Sequence, residues 1–122
     1  MSSEADRTRS ALRVGHNQSL FRAVNEQIES TNERFGVVLE QVEFVCECAA
    51  EECTERITMT LGQYEEVRRV PIRFIVKPGH VYPEFERVVE EVDGYVVIEK
   101  FGEAAAEARM LDRRGGPIRL QR

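Results

Sequence analysis

Apolar residues recur along this chain at two spacings, and a change of spacing marks a change of predicted element. In "NQSLFRAVNEQIESTNERFG", Phe21, Val24, Ile28 and Phe35 return near helical spacing, with Leu20 and Thr31 flanking the stripe. Asn17 or Ser19 can cap the start and Gly36 can stop it, which predicts an amphipathic helix. Its stripe is narrow, suited to packing one face on a sheet or on a copy of itself. Residues 1–15 are polar and aperiodic, so a loose N-terminal arm is expected there.

"VEFVCEC" switches to alternation, with Val42, Phe44, Cys46 and Cys48 on one side and Glu43, Val45 and Glu47 on the other. "RITMTL" repeats the pattern with Ile57, Met59 and Leu61, which suggests a hairpin turning through "CAAEEC". In "TLGQYEEVRR", Thr60 and Gln63 have capping-box spacing and Leu61, Tyr64 and Val67 follow a helical face that must end near Pro71. "IRFIVK" reads as a strand closed by the turn "PGH".

"PEFERVVEEVDG" places Phe85, Val88, Val89 and Val92 at i, i+3, i+4 and i+7, which predicts a helix. Pro83 suits its first turn, Glu84 and Glu86 its N-terminal dipole, and Gly94 its left-handed stop. "YVVIEKF" is then a fourth strand and "EAAAEARML" a short helix, while "DRRGGPIRLQR" reads as a flexible tail. The expected fold is a small single α+β domain over 16–111. It has about four short strands, an N-terminal amphipathic helix and two or three shorter helices, with a flexible tail over 112–122.

Composition adds two constraints. The 122 residues fit one domain, yet charged residues make up 32% and aromatics 7% with no Trp, so a metal or a partner subunit would help hold a modest core. No apolar run approaches the roughly 20 residues of a membrane span, and "MSSEADRTRS" lacks a secretory apolar stretch, so a cytoplasmic protein is expected. There thiols stay reduced, and clustered cysteines are metal ligands or redox centres before they are disulfides. Charge is uneven: residues 26–66 carry eleven Glu against Arg34 and Arg56. An acidic middle repels phosphate backbones and argues against nucleic acid, although Arg68, Arg69, Arg73 and the basic tail could contact phosphates.

All three cysteines lie in that acidic middle. Side chains two apart on a strand point the same way, with Cα atoms roughly 6.5–7 Å apart, so Cys46 and Cys48 can face one ion. A disulfide between them is marginal at that distance. A turn returning Cys53 supplies a third thiolate, and the fourth tetrahedral position falls to His16 or His80. His80 is preferred because Pro78 and Gly79 set it on a sharp turn after a strand. Soft thiolates favour zinc, with iron and cobalt chemically acceptable. Reduced structural cysteines, a redox pair and a plain turn histidine are the competing readings. Glu47, Glu51 and Glu52 could be imagined as a general base, but surface glutamates are more often solvated.

The run "FVCECAAEECTERI", the "TLGQYEEVRR" after it and the block "IVKPGHVYPEFERVVEEVDGYVVIEK" together resemble a family of small bacterial proteins of uncharacterised function. The resemblance covers about residues 17–101. It implies that Cys46, Cys48, Cys53 and His80 travel as a set, and it brings no activity with it.

No zinc-peptidase, deaminase, P-loop, dinucleotide-binding or G-x-S-x-G pattern is present in the sequence, and a Cys3His site leaves no position for water. The sequence therefore reads as a non-enzymatic, zinc-stabilised protein-interaction or regulatory module. The alternative is a thiol-based redox or metal sensor using the cysteine cluster. The expected partner is another protein. Oligomeric state is left open, a homodimer being compatible.

Overall fold

The computed structural model describes residues 4–34 and 41–112. In chain order they form α1 (Glu4–Arg34), β1 (Val42–Val45), β2 (Arg56–Met59), α2 (Leu61–Arg68), β3 (Arg73–Val76), β4 (Glu86–Val92), β5 (Tyr95–Lys100) and α3 (Gly102–Met110). β1 and β2 make an antiparallel hairpin with Val42 opposite Met59 and Phe44 opposite Ile57. The other strands make a second antiparallel sheet in the order β3-β5-β4. This is the expected small α+β domain, with five strands in place of four.

Alternation places Phe44, Ile57 and Met59 inside, where they meet Tyr64 and Leu61 of α2 and Phe74, Val76 and Ile98 of the larger sheet. The Phe44 ring stacks on Tyr64 at 4.5 Å between centroids. Burying each such side chain contributes roughly 1.5–3 kcal/mol, so α2 is held by these contacts more than by its own length. Its start is fixed as expected: Thr60 Oγ1 accepts the Gln63 N–H at 3.1 Å, and Gln63 Oε1 accepts the Thr60 N–H at 2.8 Å.

Residues 86–92 are a strand, not the helix that the valine spacing predicted. Asp93 and Gly94 form a two-residue connection, Gly94 at φ +95°, that sets Val92 opposite Tyr95 and starts a hairpin. A register irregularity between Val88 and Glu90 leaves both Val88 and Val89 exposed, so the apparent helical stripe is a bulged strand. Glu86, expected near a helix N-terminus, is buried instead.

α1 departs further from expectation. It begins at Glu4 and buries Ala11 and Val14, so over 4–15 a helix stands where a loose arm was expected at 1–15, and residues 1–3 lie outside the described set. Asn17 and Ser19, the expected caps, lie in its interior. Val24 of the predicted apolar stripe is 47% exposed, and Phe21 and Ile28 are half-buried. Phe35, the last residue of the predicted stripe, and Gly36, the expected stop, lie outside the described residues.

The face of α1 that packs on the domain is polar: Gln18, Arg22, Asn25 and Glu29 are buried at helical spacing. Burial of polar groups demands partners, and Gln18, Arg22 and Asn25 have them. Arg22 donates to the carbonyls of Pro71 (2.6 Å) and Ala108 (3.1 Å) and lies over the Phe74 ring, 4.3 Å from its centroid. Lys100 Nζ donates to Glu86 Oε1 at 2.8 Å and to Gln18 Oε1, while Gln18 Nε2 donates to the same Glu86 oxygen at 3.1 Å.

Arg68 bridges Glu26 and Asp112 with its side chain fully buried. Arg73 pairs with Glu99 at 3.1 Å and Arg69 with Glu66 at 3.7 Å. Asp112, assigned to the tail on sequence, is thus part of the packed domain, and residues 113–122 lie outside the described set. No helix among the described residues is long and apolar enough to cross a membrane.

Candidate metal centre

The hairpin delivers two cysteines by anchoring the residue between them. Beyond β1, the Cys46 N–H donates to the Glu55 carbonyl at 3.1 Å, and one residue later the Glu47 N–H donates to the Ile75 carbonyl at 2.8 Å. The chain therefore crosses from β2 to the edge of β3 at Glu47. Its carboxylate is wholly buried: Oε1 accepts the Ile75 N–H at 3.0 Å, and Oε2 accepts Tyr64 O–H at 2.7 Å and Asn25 Nδ2–H at 2.8 Å. This corrects the sequence reading of Glu47 as a solvated side chain, while Glu51 and Glu52 are exposed. Burial raises the Glu47 pKa, and its hydrogen bonds from Asn25, Tyr64 and Ile75 oppose that rise.

A tight turn returns Cys53, whose N–H donates to Ala50 O at 3.1 Å. His80 comes from the expected "PGH" turn: its N–H donates to Lys77 O at 3.0 Å, with Gly79 at φ +88°. Cys46, Cys48, Cys53 and His80 converge, each offering one ligand atom, all within 4.8 Å of one another. Cys46 Sγ lies 3.5 Å and Cys53 Sγ 3.7 Å from His80 Nδ1. His16 is exposed on α1 and outside the group.

These spacings suit a tetrahedral ion. Zinc bonds of about 2.3 Å to sulfur and about 2.05 Å to nitrogen put sulfur and nitrogen about 3.6 Å apart. Backbone N–H groups also serve the sulfurs. The Lys77 N–H donates to Cys46 Sγ at 3.3 Å, and the backbones at Ala50 and Glu55 favour the charged forms of Cys48 and Cys53. Donors of this kind stabilise thiolate, the form that binds metal. The neighbouring Cys46 thiol, aided by the Ala50 N–H, holds Cys48 down to about 5. Cys46 is pushed up by the same pairing and by burial.

Beside the cluster, Cys48, Ala50, Gly79, His80, Val81 and Tyr82 line an open cleft of about 250 Å³. The supporting residues were not legible from sequence. Asn25, Tyr64 and Ile75 are 22, 17 and 28 positions from Glu47, and no local period ties them together.

Fold and site together define a small α+β domain with a Cys3His group that could hold a metal ion. Compared with protein-family models, curated proteins and solved structures, the chain matches none.

Proposed function

We propose that Cys46, Cys48, Cys53 and His80 hold one zinc ion and that the ion ties the β1–β2 hairpin to the turn after β3. The observation that carries this reading is the convergence of three sulfurs and one imidazole nitrogen within 4.8 Å. Four protein donors fill a tetrahedral shell, so the ion is a scaffold rather than a catalyst. The domain then works by binding another protein, as an interaction or regulatory module without an active site. Nucleic acid is a poor candidate ligand for the arginines of α2 and β3, because Arg68 is buried between two carboxylates and Arg69 and Arg73 sit beside glutamates.

Cobalt substitution tests the metal assignment. Thiolate charge-transfer and tetrahedral ligand-field bands are expected in wild type and should vanish in Cys48→Ser. Their absence in wild type would leave plain reduced cysteines.

One observation favours a second reading, a thiol-based redox or metal sensor: Cys53 is half-buried where Cys46 and Cys48 are buried, which gives a small oxidant a path to one sulfur of the group. Release of the ion by peroxide at doses that leave the rest of the fold intact would support sensing. Release only on global unfolding would support scaffolding.

A further inference from the structure

The face that α1 turns away from the domain has an order of its own. Arg9, Arg13, His16, Leu20, Val24, Gln27, Thr31 and Arg34 follow one another at spacings of three or four, which at about 3.6 residues per turn makes a single stripe. Its middle is apolar. Leu20 is 52% exposed and Val24 is 47% exposed. Val24, Gln27, Ile28, Thr31 and Asn32 line a shallow groove of about 350 Å³ beside them.

Among the described side chains, the charged residues along the stripe are all basic, in a protein whose net charge is −5. Glu33, exposed at the end of the helix, falls on the opposite side of the turn. The arrangement is costly unless used: α1 buries Gln18, Arg22 and Asn25 and leaves Leu20 and Val24 about half exposed.

We propose that this stripe binds an acidic amphipathic helix of another protein, one with two or so apolar turns flanked by glutamate- or aspartate-rich turns. The inference rests on the interaction reading above and names the chemistry of the partner. Charge selects the occupant. The α1 stripe of a second copy would set arginines against arginines, and residues 113–122 of this chain carry four arginines and no acid. A shallow apolar groove flanked by basic turns matches the apolar face of a helix with acidic ends.

The probe is a labelled synthetic helix with leucines at i, i+3, i+4 and i+7 between glutamate-rich ends, alongside a lysine-for-glutamate version. Saturable binding of the acidic peptide is expected, about tenfold or more tighter than the lysine version and weakening as salt rises. Leu20→Asp should weaken it about tenfold, and Arg13→Glu several-fold, with metal content and melting temperature unchanged because both positions are exposed.

Equal binding of both peptides, no binding of the acidic one, or undiminished binding to Leu20→Asp would overturn the proposal. So would peptide-independent capture by phosphatidylserine vesicles or a concentration-dependent dimer lost in Leu20→Asp. A native partner held equally by wild type and Leu20→Asp would remove only the α1 assignment and leave the interaction reading standing.

Discussion

Replacing Lys100 by Met tests whether the charged layer beneath α1 is structural. The Lys100 and Glu86 side chains are fully buried and 2.8 Å apart, and Gln18 bonds to both. Removing the ammonium leaves the Glu86 carboxylate with the Gln18 amide and the Tyr82 N–H at 2.9 Å, but with no opposite charge. Breaking one side of such a pair costs about 3–5 kcal/mol. For a chain of 122 residues, a loss of that size lowers the melting temperature by roughly 12–20 °C. Differential scanning calorimetry and urea titration would measure it.

The double variant Lys100→Met, Glu86→Gln removes the stranded charge, so it should be more stable than Lys100→Met alone. Burial also holds the Lys100 ammonium below its ordinary 10.5. Between the folded value and 10.5 the unfolded chain binds the extra proton, so wild-type stability rises with pH there. Lys100→Met should abolish that rise. A cost under about 1 kcal/mol, or a double variant no better than the single, would refute the reasoning.

Other substitutions probe the remaining joints. Glu47→Gln puts an amide where Ile75, Tyr64 and Asn25 all donate, and should cost about 1–3 kcal/mol by chemical denaturation. Because burial raises the Glu47 pKa above 4.5, its favourable contribution is present below 4.5 and is lost as pH rises through the folded value. The Gln variant should flatten that part of the stability profile. At Gly15 an added Cβ would meet Glu107 Cγ at 3.0 Å and Cβ at 3.3 Å, so Gly15→Leu should force α1 from α3 and cost about 1–3 kcal/mol in thermal melts. Mixed-sequence duplex at physiological salt should bind more weakly than about micromolar in anisotropy titrations.

The parts of the fold set by local period were legible in the sequence. Alternation in "VEFV" and "RITM" gave the hairpin, and the Thr60–Gln63 box gave the start of α2. The convergence of the four residues was legible for a chemical reason: three soft donors within eight positions leave few alternatives, and the Gly79 turn brings His80 to them.

What failed depended on partners far along the chain. The valines of β4 fit a helical face and a strand equally well, and the Asp93–Gly94 turn that distinguishes them acts only by pairing with β5. In α1 the apolar residues marked the wrong face, because Gln18, Arg22 and Asn25 are satisfied by groups on β1, β4, β5 and α3 and in the loops beside β1 and β3. Hydropathy assigns such side chains to solvent, and only their distant partners can reverse that.

The central claim is that one ion holds the cluster together. Elemental analysis of protein expressed with ample metal, repeated on Cys48→Ser, His80→Ala and His16→Ala, tests it most directly. About one zinc per chain is expected in wild type and in His16→Ala, with loss in Cys48→Ser and His80→Ala and an earlier, broader melt, worse for Cys48→Ser. Wild-type protein carrying less than about a tenth of an equivalent, or His80→Ala retaining a full one, would contradict it.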